Sequence, residues 1–231
     1  MQVSKQHSTA ILVFANSSIE EMQHKKIACG EQLFDSLTQQ TLKTVKKTKI
    51  PFFHLTEVEQ KGDSFGERFT NAIQYVFDQG FENVITVGND SPHLTKAHIL
   101  HAISHLEQSR SVIGPSADGG FYLMGLHRSD FEKSDFELLS WQTSRIRKEV
   151  LDLLSLSSEK IHLLHTLFDI DTFFDVKLIA KYASGLSQNI LRLIRSMTSL
   201  SNKLEIPKFS LVSSVHSQIH FNKGSPIRSF S

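Results

Sequence analysis

Short apolar runs alternate with amphipathic stretches through the first 180 or so residues of the chain. Runs that are apolar at nearly every position predict strands buried on both faces, at residues 9–15, 51–55, 83–88, 111–114, 121–126 and 161–165. Apolar residues at helical spacing predict helices between them, at residues 31–47, 67–78, 98–107 and 174–182. This alternation predicts right-handed βαβ units, and therefore an α/β fold with three layers, α/β/α, around a mostly parallel sheet.

The pattern changes after residue 184. Residues 186–197 have the apolar spacing of one more helix, whereas the chain from residue 198 onward is rich in Ser, Lys and His and has no sustained periodicity. We therefore predict an α/β domain over residues 1–184 and an extension over residues 185–231, which consists of one helix and a poorly ordered tail.

The extension is basic, although the whole chain has a net charge of only +1. From Lys177 onward eight Lys and Arg residues face one acid, Glu205, so this segment carries +7 and the preceding part −6. Such a tail can contact an anionic partner, namely nucleic acid or an acidic membrane surface. Its charges are dispersed, which favours a solvated tail instead.

The composition is that of an ordinary globular protein, with 39% apolar and 21% charged residues among 231. Cys29 is the single cysteine, so no internal disulfide can form. No stretch approaches the about 18 consecutive apolar residues of a transmembrane helix. The N-terminus lacks the charged-then-apolar pattern of a signal peptide. We expect a soluble, cytoplasmic protein.

Asp90 is the first candidate for chemistry, because it directly follows the strand predicted at residues 83–88. In open α/β sheets ligands bind beyond the carboxyl ends of the strands. A carboxylate at that place can hold a divalent cation against a diphosphate. Capping of the next helix, or an Asx turn, explains the same residue equally well.

Asp118-Gly119-Gly120 is the second candidate. Glycines after an aspartate allow a close backbone approach to a ligand or a positive φ angle. They also favour a tight hairpin turn before the strand at residues 121–126. The two interpretations are compatible, because a hairpin can present Asp118 to a substrate.

Two further groups carry titratable side chains. Asp169 and Asp171, at positions i and i+2, suit metal binding, although capping of the next helix by Thr172 competes equally. Three histidines share one face of the helix predicted at residues 98–107, namely His98, His101 and His105. They could form a metal site, but no carboxylate is spaced to complete it, so surface or partly buried histidines are the favoured interpretation.

Taken in order, five short elements resemble a glycosyltransferase-like family. They are Gly-Glu-Arg at 66–68, Gly-Asn-Asp-Ser-Pro-His-Leu at 88–94, Gly-Pro-Ser-Ala-Asp-Gly-Gly-Phe-Tyr-Leu-Met-Gly-Leu at 114–126, Trp-Gln-Thr at 141–143 and Asp-Ile-Asp-Thr at 169–172. The family includes arsenosugar-biosynthesis-type glycosyltransferases and is related to small nucleotidyltransferases such as the molybdenum-cofactor guanylyltransferase. The resemblance implies the GT-A, or nucleotide-diphospho-sugar transferase, fold for residues 1–184.

The resemblance also implies roles for single residues. Asp90 would position a metal and the nucleotide diphosphate, and Asp171 would match the second metal-binding acid. Asp118 would lie beside the sugar or acceptor together with Gly119 and Gly120. Further nucleotide-binding or substrate-binding positions would be Lys25, Lys26, Arg68, Asn89, Trp141 and Thr143. Core packing for the tryptophan and pairing with a nearby acid for the arginine are the alternatives.

The segment after the first strand departs from the family. Members with a full nucleotide site have a loop like Pro-x-Pro-Gly-x-x-Lys-Thr-Arg-Leu at this place. Residues 16–28 lack its glycine, proline and arginine and carry the adjacent acids Glu20 and Glu21. Glycine amides and basic side chains are what such loops use against phosphate, so Lys25 or Lys26 would have to replace them.

The resemblance thus implies a transferase that uses a nucleotide-activated sugar, a small-molecule acceptor and Mg²⁺ or Mn²⁺. Asp90 and Asp171 would hold the metal, and Asp118 would orient or deprotonate an acceptor hydroxyl. One alternative is a nucleotidyltransferase acting on a phosphorylated small molecule. Another is a non-catalytic relative with a degenerate nucleotide loop that acts as a binding protein.

Overall fold

Strands and helices alternate along the part of the chain that the computed structural model describes, residues 8–25, 27–28, 30–156 and 160–204. The strands are β1 (Thr9–Phe14), β2 (Phe52–Leu55), β3 (Asn83–Val87), β4 (Arg110–Pro115), β5 (Phe121–His127) and β6 (Lys160–Leu163). The helices are α1 (Ser18–His24), α2 (Glu31–Lys46), α3 (Phe65–Asp78), α4 (Lys96–Ser109), α5 (Lys133–Glu137), α6 (Ile146–Leu154), α7 (Phe173–Lys181) and α8 (Gln188–Leu204).

The strands form one sheet in the order β2-β1-β3-β5-β4-β6. β1 pairs in parallel with β2 and β3, and β4 pairs in parallel with β6. β5 lies antiparallel between β3 and β4 and is the one reversed strand of the six. The predicted mostly parallel sheet is confirmed, and so is the hairpin interpretation of the turn between β4 and β5.

The central strands bury both of their faces, which explains their continuous apolar sequences. In β1, Ala10 and Leu12 join the apolar cluster on one side of the sheet, whereas Ile11 and Val13 join the cluster on the other side. Side chains of α3 and α6 complete the first cluster, and side chains of α4 complete the second. The predicted three-layer α/β/α architecture is therefore confirmed.

Three helices, α1, α5 and α6, lie where the sequence pattern predicted none. The most consequential is α1, because the segment at residues 16–26 was interpreted as an altered loop. The Ser17 hydroxyl accepts a hydrogen bond from the Glu20 amide and caps the helix. Glu20 and Glu21, the two acids that distinguish this segment from the family pattern, stand in the first turn, where the helix dipole favours negative charge.

The helix expected at residues 186–197 is present as the longer α8. Ile190 and Ile194 are fully buried in a cluster that also contains Phe34 of α2 and Val176 of α7. The helix of the extension is therefore packed on the domain, while the predicted tail beyond residue 204 lies outside the described residues. Within the described residues, no helix combines the length and the apolar character that crossing a membrane requires.

Replacing Ile194 by Ala tests whether α8 is part of the core. The side chain is fully buried, so we expect the free energy of unfolding to fall by about 2–4 kcal/mol. Urea unfolding followed by circular dichroism measures the change. Arg192→Ala, on the exposed side of the same helix, should stay within about 0.5 kcal/mol of the parent. Equal effects of the two substitutions would contradict the packing of α8.

Candidate functional site

A cleft of about 600 Å³ opens where β1, β3 and β4 end at the same edge of the sheet. Its floor carries acids that follow β3 and β4, and one wall is aromatic. Nine of the predicted site residues line it, namely Lys25, Arg68, Asn89, Asp90, Asp118, Gly120, Trp141, Thr143 and Asp171. Lys26 is outside the described residues.

The Lys25 ammonium lies at the centre of the acids. Its Nζ is 2.7 Å from Asp90 Oδ2, 3.1 Å from Asp171 Oδ1 and 3.6 Å from Glu21 Oε2. It also donates a hydrogen bond of 3.0 Å to the carbonyl oxygen of Ile170. The side chain is only 11% exposed. The two acids that the sequence predicted as metal ligands therefore converge on one cation, which belongs to the chain itself.

The charged side chains of this cluster shift one another's pKa. Burial alone would lower the pKa of Lys25, but the facing carboxylates of Asp90, Asp171 and Glu21 outweigh it and raise that pKa. Burial raises the pKa of Glu21 and of Asp171, and the nearby ammonium offsets part of each rise. The ammonium thus stays charged and partly compensates the nearby carboxylates, which have little contact with solvent.

The segment 169–171 is fixed to the end of β3. The Ile170 amide donates to the Asp90 carbonyl oxygen at 3.0 Å, and the Ile170 side chain is fully buried. The two acids on either side of Ile170 therefore both reach the cleft. Thr172 also caps α7, with Asp175 completing a capping box, so the capping interpretation is confirmed beside the placement of the acids.

Asp169 belongs to the acid pair that the sequence predicted, but its protonation state could not be inferred from the sequence. The Ser91 hydroxyl donates a hydrogen bond to its carboxyl group. Burial, followed by the negative charges of Asp90 and Asp118, raises its pKa to about 8. It is therefore mainly protonated at pH 7 and adds little negative charge to the cleft. The i, i+2 spacing indicated a pair of acids, but burial decides which of the two is neutral, and burial follows from the fold.

Glu21 was missed as well, because it appeared only as a charge that opposes phosphate. It is 7% exposed and faces the Lys25 ammonium. The spacing of Glu21 and Lys25 at i and i+4 in the sequence is a signal that could have found this pair, once α1 is known to be a helix.

The turn between β4 and β5 holds Asp118 at the cleft. Asp118 Oδ1 accepts hydrogen bonds from the Gly120 amide, at 2.9 Å, and from the Ser116 hydroxyl. Gly119 has φ +100°, and a Cβ atom there would lie 2.3 Å from the Ser144 carbonyl oxygen. Glycine is thus required at position 119 by the neighbouring backbone. Unlike Asp118 and Gly120, Gly119 does not line the cleft, although the resemblance implied that it would.

The aromatic wall centres on Trp141. Its ring lies 5.0 Å from that of Phe69 and 6.2 Å from that of Phe121, and its Nε1 donates to the Phe136 carbonyl oxygen at 2.7 Å. A Cβ atom on Gly66 would come within 2.6 Å of the indole. Core packing and lining of the cleft therefore both describe Trp141, because the ring is half-buried between them.

Three remaining predicted residues have local partners. Asn89 is buried, and its side-chain amide donates to the Thr38 hydroxyl at 2.8 Å, which ties the end of β3 to α2. Arg68 donates to the Asp63 carbonyl oxygen at 3.3 Å while it lines the cleft. The Thr143 hydroxyl donates to the Ser140 carbonyl oxygen at 2.7 Å.

Asp169→Asn tests the protonation of this buried acid. Folding raises the pKa of Asp169 from 3.8 to about 8. Between these two pH values the folded protein therefore retains a proton that the unfolded chain releases. The stability associated with Asp169 is therefore complete below about pH 4 and is lost as the pH rises to about 8. An amide resembles the protonated acid at every pH.

We expect the variant to gain little stability at pH 4 and at least about 1.4 kcal/mol, the equivalent of one pKa unit, above pH 8. Urea unfolding across this pH range in EDTA measures the gain. Asp35→Asn, at an exposed acid, is the control and should show no such trend. A gain that is the same at pH 4 and pH 8 would mean that Asp169 is ionised in the folded protein.

Two solved structures illustrate the fold that this chain shares. A candidate nucleotide-diphospho-sugar transferase from Desulfovibrio desulfuricans G20 superposes with a TM-score of 0.75 at 19% identity, covering 87% of this chain and 100% of its own. The 4-diphosphocytidyl-2C-methyl-D-erythritol synthase of Anaerococcus prevotii DSM 20548 has a TM-score of 0.50 at 12% identity, covering 76% and 97%. Likeness at these identities is evidence of fold, and the predicted nucleotide-diphospho-sugar transferase fold is confirmed.

No curated protein matches this sequence. A family model does: the family described as uncharacterized protein conserved in bacteria (DUF2064) matches residues 23–143. These are 121 of the 231 residues, and they contain α2, α3 and the turn that carries Asp118. The match covers more than half of the chain, and the chain belongs to the DUF2064 family.

Proposed function

We propose that this protein is a metal-dependent transferase that uses a nucleotide-activated sugar. The observation that carries the proposal is that Asp90 and Asp171 both contact the Lys25 ammonium at the carboxyl edge of the sheet. Ligands of open α/β sheets bind at this edge. The cleft of about 600 Å³ has the size of a small-molecule site.

The donor set fits a divalent cation. Two carboxylates already contact one positively charged atom, at 2.7 and 3.1 Å, and hard oxygen ligands are those that Mg²⁺ and Mn²⁺ prefer. Asp90 and Asp171 are therefore the residues that we assign to the metal. A metal bound there would neutralise the charge of a diphosphate leaving group.

Lys25 has two consecutive roles in this proposal. Without ligands its ammonium compensates the carboxylates of Asp90 and Asp171. A divalent cation held by Asp90 and Asp171 would take over that compensation, and the Lys25 ammonium would then be available for a phosphate in the cleft. Lys25 directly follows α1, whose carboxyl end carries a partial negative charge. Phosphate binding in this family member therefore depends on side chains, Lys25 and Arg68, in place of a glycine-rich loop.

Other cleft residues would hold the organic parts of the substrates. The exposed parts of Trp141 and Phe121 provide an apolar wall for a base or sugar ring. The two hydrogen bonds that fix Asp118 in its turn both use Oδ1. We assign Oδ2 to the acceptor hydroxyl, which it would orient and deprotonate. Positioning of donor and acceptor in one cleft would supply much of the rate.

A thermal-shift titration tests the proposal. The protein is titrated with UDP-, GDP-, CDP- and dTDP-sugars and with nucleoside triphosphates, with and without Mg²⁺ or Mn²⁺. A ligand at about ten times its dissociation constant adds about 1.4 kcal/mol of stability, which corresponds to roughly 3–5 °C in Tm for a protein of this size. We expect such a shift for at least one sugar nucleotide, and only when the metal is present.

Asp171→Asn should remove the metal dependence of that shift, because it removes one of the two metal ligands. Asp35→Asn, at an exposed acid of α2, should leave it unchanged. The absence of any shift at millimolar nucleotide would overturn the transferase proposal. Mass analysis of products then separates glycosyl transfer from nucleotidyl transfer, and binding without turnover would identify a non-catalytic relative.

Lys25→Met tests whether the ammonium and a divalent cation share one place. Leaving the buried carboxylates uncompensated should cost about 3–5 kcal/mol of stability. Mn²⁺ should restore part of this loss and should therefore raise the Tm of the variant more than that of the parent. Lys148→Met is the control, at a lysine that is 79% exposed and paired with Asp152. Equal Mn²⁺ responses of Lys25→Met and the parent would contradict a cation site at these acids.

A further inference from the structure

Three histidines meet on the surface between α4 and the edge strand β6. They are His101 and His105 of α4 and His162 of β6, and one ring nitrogen of each lies within 4.8 Å of the others. His101 is exposed and the other two are half-buried. None of the three lines the cleft that holds Lys25 and the acids.

The fold explains why these three histidines are adjacent. His101 and His105 are four residues apart, so they lie one above the other on the same face of α4. In the parallel pairing of β4 and β6, His162 is opposite Val112, and paired residues of neighbouring strands point to the same side of a sheet. Val112 is buried in the cluster that α4 covers. His162 therefore points to the side of the sheet where the two helical histidines are.

The rings are in direct contact. The Nε2 atoms of His101 and His105 are 2.8 Å apart, which is the distance of a hydrogen bond from an N–H of one ring to the nitrogen of the other. The rings of His105 and His162 are stacked, with centroids 3.4 Å apart and planes 8° from parallel. Burial, helped by the neighbouring His105 and His101, lowers the pKa of His162. A neutral ring keeps the lone pair that a metal needs.

We propose that His101, His105 and His162 bind one Zn²⁺ ion, with a water molecule as the fourth ligand. Imidazole nitrogen suits Zn²⁺, Ni²⁺ and Cu²⁺, whereas Mg²⁺ and Ca²⁺ prefer oxygen. Three protein ligands with one open position are a common tetrahedral arrangement for Zn²⁺. Two histidines at i and i+4 of one helix are a recurrent pair of zinc ligands.

The three imidazole rings must move slightly to bind the ion. Zn–N distances of about 2.0–2.1 Å in a tetrahedron place the nitrogens roughly 3.4 Å apart. The two helical nitrogens, now 2.8 Å apart, must separate slightly, and the stacked rings of His105 and His162 must rotate so that their nitrogens converge. His101 is exposed, so its ring has room to move away from that of His105.

The ion would join an edge strand to a helix. β6 has four residues and, among the described strands, pairs with β4 alone, so it is a short edge strand with few restraints. α4 begins at Lys96, shortly after Asp90 and Ser91, and β6 ends at Leu163, shortly before Asp169. The site therefore fixes the two elements whose neighbouring loops carry the acids of the cleft. It does not depend on the transferase proposal, because its ligands and its metal are different.

Zinc titration of the full-length, tag-free protein after treatment with EDTA tests the site. We expect one equivalent of Zn²⁺ by isothermal titration calorimetry, and a rise in Tm that Mg²⁺ does not produce. His162→Gln should weaken this binding by at least about tenfold, the lower limit seen when even an outer partner of a metal ligand is removed. Amide exchange in β6 should slow with Zn²⁺ in the parent and remain unchanged in the variant.

His98→Gln is the matched control, because His98 is on the same helix but lies beside Tyr122, with ring centroids 6.2 Å apart. It should bind Zn²⁺ like the parent. His101→Gln, at an exposed position, replaces His162→Gln if the latter does not fold. Equal zinc affinity of the parent and of these ligand variants would overturn the site, and the three rings would then be a packed, hydrogen-bonded group only. Asp171→Asn should bind Zn²⁺ normally, which separates this result from the cleft.

Discussion

The buried ammonium of Lys25 is the interaction on which the cleft depends. It joins three parts of the chain that are far apart in sequence, because Glu21, Asp90 and Asp171 all face it. Moving such charges out of water is costly, and the cost is offset only while each has a partner of the opposite sign. The acids can therefore lie close together without destabilising the edge of the sheet.

The topology brings the acids to that edge by two different routes. Asp90 follows β3 directly, as expected for a parallel strand. Asp118 reaches the same edge because β5 turns back between β3 and β4. The chain leaves β4 at its carboxyl end, forms the turn that Gly119 permits, and returns. One reversed strand in a mostly parallel sheet thus adds a second acid-bearing loop to the same cleft.

Much of the fold was predictable, because burial on both faces demands continuous apolar sequences that are easy to recognise in β1 and β3. The side-chain contacts within the cleft could not be predicted in the same way. α1 is a seven-residue helix of mostly polar residues, so its apolar pattern is too short to predict a helix. The neutral state of Asp169 depends on burial by residues distant in sequence. His162 lies in β6, whereas only the histidines of one helix could be grouped from spacing.

The buried position of α8 has a consequence for how the protein is made. Leu33 and Phe34 of α2 leave the ribosome early, but Ile190 and Ile194, which share their cluster, are near the end of the described chain. The nascent protein therefore carries an uncovered apolar helix face while most of the sheet is synthesised. Such faces are where incomplete chains associate with one another or with chaperones. Folding of this layer can finish only after synthesis has passed α8, the last of the described helices, because α8 covers the apolar face of α2.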